Sequence, residues 1–160
     1  MLQDLFSPMG VRVGRLEVPP SLLREAGPTP RISVIAGRRT GRRICTLYFN
    51  TDALPAGEGW NRPPFSLSRQ GNRLYGRGTA DMKGGVAGLV VAAERLGAAD
   101  APVRPVLALV ADEEDASLGS EAVIEALPGL GVRPDACLIA EPTDLALASS
   151  VGGYAVVRVR

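Results

Sequence analysis

The chain has 160 residues, a formal net charge of +1 and 46% hydrophobic residues, which suffices for one domain with a buried core. The near-neutral charge balance points to neither nucleic acid nor an anionic membrane surface as a partner. Apolar runs such as Val103–Ala111 are too short to span a bilayer, and the opening MLQDLFSPMG lacks the basic and apolar regions of a secretory signal, so the expected location is the cytoplasm.

Val11–Val18 alternates imperfectly and predicts a strand closed by Pro19-Pro20. Arg31–Gly37 and Ile44–Phe49 are β-branched and apolar, and the turn Arg38–Arg43 between them predicts an antiparallel hairpin. Asn50–Arg73, rich in Pro, Gly and Asn, reads as irregular and holds the single tryptophan, Trp60. From Asp81 to Leu96 the period becomes helical, with Val86, Leu89, Val90, Ala93 and Leu96 on one face and Gly97 as a stop. Val103–Ala111 then reads as a buried strand, Ser120–Leu127 as a helix ended by Pro128-Gly129, and Ala136–Ala140 as a second buried strand. Leu145–Ser150 and Tyr154–Arg160 are expected to be further strands. The order predicts an α/β fold: a mainly parallel sheet flanked by helices, with an N-terminal antiparallel hairpin. Cys45 and Cys137 fall in apolar strand-like segments and are expected to be buried thiols in a reducing compartment.

Functional groups of open α/β sheets gather at the carboxyl ends of the strands. Asp52 follows the Ile44–Phe49 strand, Glu113 and Glu114 follow Val103–Ala111, and Glu141 follows Ala136–Ala140. Asp81 lies in the run Gly76–Gly85 (GRGTADMKGG), at the start of the helix leading to the next strand. Any one of these acids alone is more simply a cap or a solvated loop charge. Delivered by four separate segments to one rim, they repel one another unless a cation neutralises them. That pattern suits a centre in which a bridging carboxylate and terminal carboxylates hold two divalent ions, with a neighbouring glutamate as general base. A pyrophosphate-binding glycine loop is excluded because Asp81 occupies the last position of the G-x-G-x-x-G pattern begun by Gly76 and Gly78. A Ser-His-Asp triad is excluded because the chain contains no histidine.

Four ordered motifs, LYFNTDALPAGEGWNRPPF, LYGRGTADMKGG, ADEEDASLGS and IAEPTD, resemble the di-zinc amidohydrolases and exopeptidases. That family includes acetylornithine deacetylase, succinyl-diaminopimelate desuccinylase, aminoacylase and carboxypeptidase G. The resemblance runs from about Val11 to the C-terminus and implies a metal-dependent hydrolase of amide bonds in N-acyl amino acids or small peptides. It implies two divalent metal ions as cofactors, zinc with cobalt or manganese as alternatives. By resemblance Asp81 bridges the two metals, Glu114 and Glu141 are terminal ligands, Glu113 is the general base, and Asp52 is the acid that orients a ligand imidazole. Trp60, Asn61 and Phe65 lie near the cleft in the same comparison, where a structural loop role outweighs contact with substrate.

Two departures stand out. The family reads Asn-Gly-His-x-Asp where this chain reads Asn50-Thr51-Asp52, so either Asn50 replaces the ligand histidine or a Gly-His pair is deleted. Residues 1–150 are expected to form part of a catalytic domain, and residues 151–160 the strand entering a lid or dimerisation domain that supplies the family's homodimer. The chain thus resembles the N-terminal part of a longer enzyme, without either family histidine ligand and inactive by itself. A non-catalytic remnant or binding module and one half of a split enzyme are the alternatives.

Overall fold

A computed structural model describes residues 12–18, 32–37, 43–50, 54–99, 101–114, 117–150 and 152–153. Seven strands are found among them: β1 (Arg12–Glu17), β2 (Ile32–Gly37), β3 (Arg43–Asn50), β4 (Ser68–Gln70), β5 (Arg73–Tyr75), β6 (Val103–Val110) and β7 (Ala136–Ile139). Two α-helices accompany them, α1 (Gly84–Ala98) and α2 (Leu118–Ala126), with a π turn over Thr79–Lys83 ahead of α1.

Five strands make one sheet in the order β1-β2-β6-β3-β7. β1 and β2 are antiparallel, as are β2 and β6, whereas β6, β3 and β7 run parallel. The mixed α/β class agrees with the expectation, but the hairpin is corrected. β2 and β3 do not pair, because β6 lies between them, and the antiparallel partner near the N-terminus is β1. The physical reason is the sequence of β6 itself. VRPVLALV is buried from Pro105 to Val110, and a strand apolar on both faces belongs at the centre of a sheet covered on both sides.

The pleat of β6 divides the core. Leu107 and Leu109 face α1, joining Ala36, Met82, Leu89 and Ala93. Val106, Ala108 and Val110 face α2, joining Ile35, Val123, Leu127 and Val132. On α1 the expected stripe holds: Leu89 and Ala93 are buried, and Val86 and Val90 pack partly covered beside them.

Four further expectations change. Residues 145–150 form no strand, and Leu145 and Leu147 stand free in solvent at 102% and 95% exposure. Ala146 instead closes a turn, its N–H donating to Thr143 O (3.0 Å) and its carbonyl accepting from the Thr143 hydroxyl (2.6 Å). β7 is exposed at all four residues rather than buried, because it is the edge of the sheet and neither helix covers it. For the same reason Cys137 is exposed; the Cys45 side chain lies outside the described residues. The segment read as irregular contains the start of a small hairpin, β4–β5, turning at Gly71. The strand expected over Tyr154–Arg160 lies outside the described residues, and among those described no helix is long and apolar enough to cross a membrane.

Candidate metal centre

Parallel β3, β6 and β7 end at the same edge, with Asn50 paired to Val110 and Tyr48 to Ile139. The next residues of β6 and β7 deliver Glu113, Glu114 and Glu141 there, all half-buried. Asp81 reaches the edge differently from the expected helix start. It sits inside the π turn in an extended conformation (φ −117, ψ 99), with the Asp81–Met82 peptide cis. Met82 is fully buried in the core beneath α1, while Asp81 is exposed. One residue anchors the turn and its neighbour presents a carboxylate.

Two glycines permit these approaches. A Cβ on Gly85 would overlap the carbonyl oxygen and side chain of Ala140, so only glycine lets the start of α1 lie against the end of β7. That contact brings the turn of Asp81 to the residue preceding Glu141. A Cβ on Gly119 would likewise overlap the backbone of Ala111, and its absence seats α2 against the end of β6. The loop between them is fixed by Ser117, whose N–H donates to Asp112 O (2.6 Å) and whose hydroxyl donates to Glu113 O (3.1 Å). Beneath it, the Ala111 N–H donates to the hydroxyl of Ser33 at 3.4 Å, Ser33 being the buried polar residue of β2.

Electrostatics show which acids share a field. Glu141 is pushed up from 4.5 to about 7, first by loss of water and then by the charges of Asp81 and Glu113. A side-chain hydrogen bond to Asp81 and the charge of Glu114 add to the shift. At neutral pH Glu141 therefore holds a proton part of the time and donates it to the Asp81 carboxylate. Asp81, Glu113 and Glu114 thus all act on Glu141; Asp52, the fifth sequence-derived residue, lies outside the described residues. As placed, no three acids among the described residues close into a cage for a single ion. The donor set itself is all oxygen, which suits a hard divalent cation such as Mg²⁺ or Mn²⁺ better than a site requiring imidazole. Loss of water is the larger cause of the Glu141 shift and the neighbouring carboxylates add to it, and a cation would offset that repulsion, so the residues fit the group by charge and chemistry.

The sequence reading missed what braces the site from the side of the irregular segment. Trp60 Nε1 donates to Ala56 O at 2.7 Å, and Arg77 Nη2 donates to the same oxygen. Only contacts at long sequence separation reveal this brace, and no local motif signals it.

An acidic rim at the carboxyl ends of parallel strands, on a sheet with a helix packed on each face, defines an α/β protein with a carboxylate-rich edge. The chain belongs to peptidase family M20/M25/M40, whose model matches residues 46–159. It is 34% identical over 147 residues to the succinyl-diaminopimelate desuccinylase of Novosphingobium aromaticivorans, covering 90% of this chain and 37% of that protein. It is 43% identical over 119 residues to the enzyme of the same name from Gluconobacter oxydans, covering 73% and 31%. The chain therefore spans about a third of the length of these curated relatives. Human carnosine dipeptidase 1 has the same fold over 86% of this chain and 31% of its own, with a TM-score of 0.72 at 24% identity. An M20 family metallo-carboxypeptidase from Sulfolobus solfataricus gives a TM-score of 0.67 at 22% identity, over 87% and 30%.

Proposed function

We propose that this chain supplies the carboxylate half of a metal-dependent centre that hydrolyses amide bonds in N-acyl amino acids or small peptides. Support comes chiefly from one observation, the convergence of Asp81, Glu113 and Glu114 on Glu141, and secondarily from membership of the M20 family. The names of the matched relatives narrow the preferred substrate to an amine carrying a succinyl group. In this reading Asp81, Glu114 and Glu141 would hold the two divalent ions, zinc or an oxygen-preferring ion such as manganese. When bound, such an ion polarises the amide carbonyl and lowers the pKa of water. Glu113 accepts the proton of the attacking water on a carboxylate oxygen and passes it to the nitrogen of the leaving amine. Asp52 orients a ligand side chain.

With no histidine among the chain's 160 residues, the candidate site residues are all oxygen donors, and we assign the chain cation binding without appreciable turnover by itself. Residues 1–150 form part of a catalytic domain in this reading, residues 151–160 lead toward a lid or dimerisation domain, and the location is cytoplasmic.

The exposed edge favours a second reading, in which another polypeptide completes the centre. Cys137 and Ile139 on β7, with Ile124 and Leu127 on α2, line a groove of about 980 Å³ that ends at Glu113 and Glu141. An exposed outer strand, outermost among the described residues, and an apolar groove beside the site are features that suit a docked partner. Calorimetric titration with Zn²⁺ and Mn²⁺, followed by hydrolysis assays on N-acetyl and N-succinyl amino acids, tests both readings. Cation binding without turnover supports the carboxylate half-centre, turnover by the chain alone removes the need for a completing polypeptide, and absence of binding refutes the metal centre.

A further inference from the structure

The GRGTADMKGG run contributes more than Asp81. Arg77, four residues earlier, reaches 21 positions back along the chain to donate from Nη2 to Ala56 O. Its guanidinium lies 5.3 Å from the centroid of the Trp60 ring, within cation–π range. Trp60 donates to the same Ala56 oxygen, so both lone pairs of that carbonyl are used. The Arg77 backbone N–H also donates to Pro64 O at 2.6 Å. On the other side, the turn is closed by the Thr79 hydroxyl donating to Gly76 O (2.9 Å) and the Lys83 N–H donating to Gly78 O (2.9 Å). Arg77 thus stands between the loop of Ala56, Trp60 and Pro64 and the turn that presents Asp81. A second guanidinium, Arg62, lies 4.1 Å from the Tyr75 ring centroid and donates to Gln70 at 3.0 Å, tying the same loop to the β4–β5 hairpin. The Arg77 Nε is buried with no hydrogen-bond partner among the described residues.

We propose that Arg77 is a positioning residue, fastening the Trp60 loop to the turn of Asp81 and thereby holding the Asp81 carboxylate for a cation. The cation part rests on the metal-centre reading above; the fastening does not. Lysine in place of Arg77 keeps a cation over the indole and one donor for Ala56 O, whereas methionine keeps only the bulk.

The test is hydrogen exchange on the metal-free chain, read for peptides covering Gly76–Lys83, in wild type, Arg77→Met, Arg77→Lys and Trp60→Phe. Calorimetry with Mn²⁺ follows on the same proteins. We expect Arg77→Met to speed exchange in that peptide at least tenfold while β6 and α2 peptides stay unchanged, to weaken Mn²⁺ binding at least threefold, and Arg77→Lys to restore most of both. Wild-type exchange in Arg77→Met, or acceleration spread evenly over the chain, overturns the proposal. If Arg77→Met does not fold, Trp60→Phe, which removes the indole donor and keeps a smaller aromatic ring, must show the same localised acceleration or the proposal fails. If the wild type binds no Mn²⁺, the metal-centre reading falls, and the exchange data still decide the fastening.

Discussion

Gly85 and Ala140 touch so closely that no side chain fits between them, and this contact sets the chemistry of the rim. It joins the start of α1 to the end of β7, so that Asp81 and Glu141, 60 positions apart in the chain, share a hydrogen bond. Replacing Gly85 by alanine forces the two elements apart. Overpacking of this kind costs about 1–3 kcal/mol, so urea unfolding of Gly85→Ala is expected to show a loss in that range. The variant should also lose cation affinity, although it removes no carboxylate. Unchanged stability and affinity would show that the contact does not set the site.

Glu141 gives the metal-free chain a pH-dependent stability. Its pKa rises from 4.5 to about 7 on folding, so the folded state binds its proton more tightly than the unfolded state does. The contribution is fully present below about pH 4.5, declines as pH rises, and is lost above about 7. The urea midpoint is expected to fall across that window in wild type and to fall less in Glu141→Gln. Equal slopes in the two proteins would exclude Glu141 as the source.

β7 is the outermost strand of the sheet among the described residues, and its exposed side chains predict self-association. Its four residues, Ala-Cys-Leu-Ile, are exposed and uncharged, the composition that invites strand pairing. Sedimentation velocity is expected to show association that grows with concentration, and Leu138→Lys, on the edge, to reduce it. A monodisperse monomer at every concentration would count against this.

What the sequence made legible were properties carried by short range and by residue type. The stripe of Leu89 and Ala93 on α1, the central strand Val103–Val110 and the strand-end acids all followed from periodicity and position. The β2–β3 hairpin failed because adjacency in sequence competes with the demand of β6 to be covered on both faces. β7 read as buried because ACLI is apolar, yet burial depends on what lies beyond the edge, which local composition does not carry. Asp81 sits in a π turn rather than at the expected helix start, since a π turn anchored by Met82 has no sequence signature separate from a helix start. The Arg77–Trp60 brace and the Ser33–Ala111 hydrogen bond join residues 17 and 78 positions apart, beyond the reach of any pattern.

The central claim is that Asp81, Glu113, Glu114 and Glu141 form one carboxylate centre that takes up divalent cations. Mn²⁺ titration at pH 6.5 in buffers of differing ionisation enthalpy tests it most directly. At that pH Glu141 is largely protonated in the metal-free chain, so a cation that takes its carboxylate must displace the proton. The account predicts release of a fraction of a proton approaching one per bound Mn²⁺ in wild type, little release in Glu141→Gln, and weakened binding in Asp81→Asn. Binding with no proton release, or equal release from wild type and Glu141→Gln, would contradict it.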